Sequence, residues 1–251
     1  MPELVNFESL EELCEQARAH FRSQTGDRAK EMDQALVLLL DVFRSAGRLY
    51  TVEELQGSKE EAALGVLVQA LETVLAMYFL SQDGFWDNAL VLKRNYAELL
   101  LVALGIGHDQ RIFVDWKHGR SSLNSFEKVA KRVEASTDVP CEKKSVLPLV
   151  KRYWRESSQG FSHNVSSSSV RTSIVNGQVH FEPKTATAEF QHGRMCALRN
   201  MLLNLVAAFL GIIRFETRAY EKRQSFPEGA SIAARARECF QNKRWKAEHT
   251  N

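Results

Sequence analysis

Apolar residues recur every three or four positions through most of this chain, and that spacing favours helices over any other element. Leu36, Leu39, Leu40, Phe43 and Gly47 form one stripe. Leu64, Leu67, Leu71, Val74, Leu75 and Tyr78 form a second, and Leu92, Tyr96, Leu99, Leu100 and Ala103 a third. Each buries one face of a helix at 3.6 residues per turn. Three start signals support them. Ser9 with Glu12, Thr51 with Glu54, and Ser58 with Glu61 fit the capping box, in which side chain and backbone satisfy each other's orphan donors. The spacing predicts helices over 8–24, 28–49, 52–56, 59–82, 85–105, 109–118, 123–136, 142–159, 186–222 and 230–246. The breaks between them fall at Gly84, Gly105–Gly107, Asp138–Pro140 and Phe226–Gly229.

One stretch departs from the helical period. Val170 to Val175 alternates, Asn176 and Gly177 intervene, and Gln178 to Phe181 alternates again. Asn-Gly between alternating runs signals a two-residue hairpin, because both residues tolerate positive φ. The expected fold is therefore an all-α multi-helix bundle with one small β-hairpin inserted near 170–181. An isolated hairpin is marginal in water, so this one is expected to pack on the bundle or on a partner.

A length of 251 residues suits one large domain, and residues 1–251 are expected to form a single helical domain, with 230–246 peripheral. A net charge of +2 leaves no global nucleic-acid footprint, but the charge is uneven. Residues 1–34 hold 8 acidic and 4 basic side chains; residues 214–251 hold 9 basic and 5 acidic. The basic end, with Trp245, is a candidate surface for RNA or an acidic partner, and the plain reading is two solvated helix faces. Cys14, Cys141, Cys196 and Cys239 are scattered, which argues against a disulfide framework or zinc ribbon and agrees with a reducing cytoplasm. The most apolar run, Leu198 to Phe215, is interrupted by Arg199, Asn200, Asn204 and Arg214 and reads as a buried core helix, so no membrane partner is expected.

Candidate chemistry gathers where the helix over 142–159 ends. Arg152, Tyr153, Arg155, Ser157, His163 and Asn164 fall within the thirteen positions 152–164, just before a serine run, Ser166 to Ser169. In metal-free RNA cleavage the 2′-hydroxyl attacks the adjacent phosphate. A His moves the proton, and an Arg holds phosphate oxygens through a two-pronged contact. The same His and serines also suit a helix end and a solvated loop. Arg94 and Glu98, four apart on an apolar helix, share a face and are expected to be partly buried as a structural ion pair. His163, His180, His192 and Cys196 match no zinc spacing, so neither metal nor cofactor is expected. The chain holds no phosphate-binding glycine loop and no nucleophile elbow.

Ala89 to Leu100, with Arg94 and Glu98, followed by Phe113 and Trp116 and then by Tyr153, Ser157 and His163, resembles a set of uncharacterised bacterial all-helical proteins. That set is itself similar to the HEPN (higher eukaryotes and prokaryotes nucleotide-binding) superfamily. The resemblance covers roughly 84–165. It implies an RNA-directed protein of bacterial defence, toxin–antitoxin or stress systems, acting as a homodimer and in active members as a metal-independent ribonuclease. On that analogy His163 moves protons, Arg155 or Arg152 holds phosphate, and Tyr153, Ser157, Asn164, Arg94 and Glu98 line the site. The chain departs from the active pattern: Arg155 is followed by Glu156, and seven residues separate it from His163. The alternative expectation is a non-catalytic helical interaction protein that binds a protein partner.

Overall fold

A computed structural model describes residues 8–83, 85–119, 125–137, 142–163, 170–175, 178–183, 188–222, 224 and 226–241, and the side chains of 158–190 lie outside what it describes. The described helices are α1 (Glu8–Leu49), α2 (Val52–Leu55), α3 (Lys59–Gln82), α4 (Trp86–His108), α5 (Gln110–Lys117), α6 (Phe126–Ser136), α7 (Leu147–His163), α8 (Ala188–Ile212), α9 (Phe215–Glu221) and α10 (Gly229–Gln241). A π-helical turn, Glu142–Val146, leads into α7. The fold is all-α.

Helix α3 begins where the sequence predicts, and its start shows the capping chemistry. The Ser58 hydroxyl accepts the Glu61 N–H at 3.0 Å, but the Glu61 carboxylate accepts from Gly57 N–H instead of closing the box on Ser58. Thr51 and Glu54 do form the full box at α2.

Four boundaries differ from expectation. The predicted break near residue 25 is absent, and α1 runs through as 42 residues. Thr25 stays helical by donating its hydroxyl to the Phe21 carbonyl at 2.6 Å. Gly105 and Gly107 do not stop α4 either. They let two neighbours approach: a Cβ on Gly107 would lie 2.7 Å from Ile212 Cγ1, and one on Gly105 3.0 Å from Ile112. The predicted helix over 186–222 is two helices, because Arg214 adopts a left-handed φ of 48° between α8 and α9. The helix expected over 142–159 opens with the π turn and extends to His163.

The core is a layer of α3 and α4, paired through their length, closed by α8, which packs on α1 and α3, and by α7 on α4. Within its apolar window α8 is 89% buried, as expected of a core helix, and it takes Asn200 and Asn204 inside with it. Tyr96 crosses from α4 to donate its hydroxyl to the Met201 carbonyl of α8 at 2.9 Å. By length and composition α3 and α8 both reach the span of a membrane, a test that core helices also pass.

The expected hairpin is not a packed part of this bundle. The backbone of Val170–Val175 runs antiparallel to Gln178–Pro183, with Thr172 opposite Phe181, but among the described residues the two segments share no substantial contact with any helix. Two strands alone bury too little to be stable in water.

Candidate functional site

Helix α7 lies on α4 and sets the predicted residues in two groups. Its inward face carries Val150, Tyr153 and Ser157, all buried. Tyr153 stands 6.2 Å from the Tyr96 ring, centroid to centroid, and burial pushes its phenol well above the ordinary range. Ser157 donates its hydroxyl back to the Tyr153 carbonyl at 2.8 Å, the usual way a serine is accommodated inside a helix. Neither side chain opens onto solvent: Tyr153 and Ser157 are both buried against α4.

The outward face carries Arg152, Arg155 and Glu156, all exposed. Arg152 Nε donates to Glu156 Oε1 at 2.6 Å, and that contact raises its own pKa. Lys93 of α4 reaches the other Glu156 oxygen and holds its ammonium 4.6 Å over the Tyr153 ring. Burial alone would push the Glu156 carboxyl up. The hydrogen bonds and charges of Lys93 and Arg152 outweigh it and leave the group below its ordinary value. Arg152 is therefore engaged within the molecule, whereas Arg155 is exposed and has no ion-pair partner among the described residues.

Arg94 and Glu98 form the expected i,i+4 pair at 2.9 Å, and their side chains, 50% and 43% exposed, are partly buried. Its surroundings explain why it forms. Trp154 of α7 donates Nε1 to the same Glu98 oxygen at 3.1 Å and stacks on Phe126 of α6 at 4.6 Å with the rings 7° apart. The Arg94 guanidinium sits 5.6 Å from the Trp154 ring. One carboxylate oxygen thus ties α4 to α7 at the surface, with α6 stacked behind. That arrangement is a buttress that fixes α4, α6 and α7 to one another.

His163 closes α7, but its side chain and Asn164 lie outside the described residues, as does the expected convergence of His163 with an Arg. His192 is exposed, its Nε2 2.6 Å from the Gln24 carbonyl oxygen, while Cys196 one turn on is buried. Among the described residues no three His, Cys, Asp or Glu side chains gather as a metal would require.

The residue pattern gave no warning of the outer side of α3. Gly65, Val68, Glu72 and Phe79 are exposed along it, with Leu75 half-buried. Val68 and Phe79 keep 41% and 58% of their surface in solvent. At the N-terminal end the strip opens into a pocket of about 440 Å³ between α3 and α5, floored by Ala62, Gly65 and Val66 and walled by Phe113, Trp116 and Lys117. The available signal was the apolar content of α3, which exceeds what one buried stripe requires. No family model, no characterised protein and no solved structure matches the chain, so its function is read from this geometry.

Proposed function

We propose that this chain is a helical interaction protein whose docking surface is the outer side of α3. One observation carries the reading. A helix apolar enough to pass for a membrane span is ordinarily enclosed, yet the apolar window of α3 is only 39% buried. Exposed or half-buried apolar side chains on a folded surface, here Val68, Leu75 and Phe79 on either side of Glu72, favour a contact site. A photo-crosslinker placed at Phe79 is expected to trap a protein partner in cells, whereas one placed at Arg155, also exposed, traps none. Adducts at 155 and none at 79 would move the surface elsewhere.

A second reading follows from Arg155, whose guanidinium is exposed and unengaged among the described residues, next to Arg152 on the helix that leads to His163. In that reading the chain is a HEPN-like, RNA-directed protein of bacterial defence or stress response, cytoplasmic and dimeric. The segment 170–181 folds as a β-hairpin on its target. Purified protein would then cut mixed cellular RNA without metal, and His163→Ala would abolish the cutting while leaving the fold intact. Equal products from both proteins would end it.

A further inference from the structure

Seven-residue spacing organises the uncovered strip. Gly65, Glu72 and Phe79 lie seven apart with Val68 and Leu75 interleaved, so the five share one face of α3 at the a and d spacing of a helix seam, with Val68, Leu75 and Phe79 its apolar members. Such a seam accepts another helix. Its middle holds a charge: Glu72 is exposed and has no ion-pair partner among the described residues. At one end Phe79 projects as a knob. At the other, Gly65 leaves the pocket floor flat, and a Cβ there would meet nothing of this chain within 4 Å. A glycine inside a helix is costly, so this one is not explained by the chain's own packing.

The charge decides among occupants. An antiparallel second copy that seats Phe79 over the partner's Gly65 sets Glu72 against its own twin, because residue 72 is midway between 65 and 79. A lipid surface is favoured by helices whose polar positions are Lys and Arg, and this strip presents Glu61 and Glu72. From the α3 seam we infer that the protein docks an amphipathic helix of another protein, apolar at its a and d positions, with a Lys or Arg facing Glu72 and a large apolar side chain in the pocket beside Trp116. The inference rests on the docking reading of α3 given above.

The test uses the full chain and two synthetic 21-residue amphipathic helices with leucine at a and d, identical except for Lys or Glu at the central a position. In fluorescence anisotropy the Lys peptide is expected to bind about tenfold tighter than the Glu peptide. Glu72→Lys reverses that order, and Phe79→Asp removes both. If Glu72→Lys leaves the order unchanged while Phe79→Asp still removes binding, the partner chemistry is wrong and the docking surface stands. If Phe79→Asp changes nothing, the docking surface itself fails. Concentration-dependent dimerisation in sedimentation, or co-pelleting with anionic vesicles, either of them lost in Phe79→Asp, overturns the proposal in favour of a second copy or a membrane.

Discussion

His108 Nε2 and Glu142 Oε2 lie 2.7 Å apart across the junction of α4 with the π turn, and the Glu142 side chain has no exposure at all. The Thr137 hydroxyl donates to the same oxygen at 2.7 Å, while Oε1 is buried without a hydrogen-bond partner among the described residues. A carboxylate so enclosed depends on its few contacts, because desolvation costs more than any one of them returns. His108→Ala is expected to cost about 3–5 kcal/mol of unfolding free energy. His108→Leu combined with Glu142→Leu should cost clearly less than the two single changes added together, since each buried polar group goes with its partner. Urea denaturation of the double-mutant cycle measures this, and additive losses would show that the two side chains act independently.

Two helical glycines should respond in opposite ways to the same substitution. Gly107→Ala places a methyl 2.7 Å from Ile212 Cγ1, inside the α4–α8 contact, where Ile212 is 2% exposed and cannot turn aside. Overpacking of that kind costs about 1–3 kcal/mol, more than the alanine gains in helix propensity. Gly65→Ala meets nothing and should stabilise the isolated chain by about 0.5–1 kcal/mol. Thermal melts of both variants settle the signs.

These glycines also mark where the sequence could and could not be read. The helical period and the caps identify α3 correctly to its bounds, because local spacing and the Ser58 N-cap both act within the segment. The Gly105–Gly107 pair looks like a stop only until Ile212, more than a hundred positions away, is known to press against it. The burial of Tyr153 and Ser157 is hidden for the same reason, since nothing nearby in sequence reveals that α7 turns that face onto Tyr96. Arg94 and Glu98 announce their pairing by spacing, but Trp154, which fixes the pair's place, comes from another helix. Leu64 and Leu67 advertise a buried stripe on α3, and the outward Val68 and Phe79 are hidden by being as apolar as the core residues beside them.

The Glu156 contacts predict a pH dependence. Its folded-state pKa is depressed below the ordinary 4.5 by Lys93 and Arg152, against the upward push of burial. A depressed carboxylate contributes stability that is complete above its unfolded pKa and is lost as pH falls through the lower folded value. Wild type should therefore exceed Glu156→Gln in denaturant midpoint at pH 7, with the gap closing below pH 4.5. The side chain is 40% exposed, so solvent screening keeps the gap small and salt-sensitive. A gap that persists unchanged at pH 3 would mean that Glu156 acts through packing alone.

Tyr153 separates packing from chemistry most directly. Its ring is buried against Tyr96, with the Lys93 ammonium above it, and Ser157 leans on its backbone. If the ring serves packing, removing the hydroxyl in Tyr153→Phe changes stability by less than about 0.5 kcal/mol, whereas Tyr153→Ala costs about 3–5 kcal/mol through the cavity left behind. Any RNA cleavage by the wild type should survive Tyr153→Phe at an unchanged rate. A Tyr153→Phe protein that keeps its wild-type melting curve but loses cleavage would place the phenol in a reaction, and α7 would then have to turn or shift to expose it. Stability and activity measured on the same two variants thus decide whether this tyrosine shares the buttressing role of Trp154, its neighbour in α7.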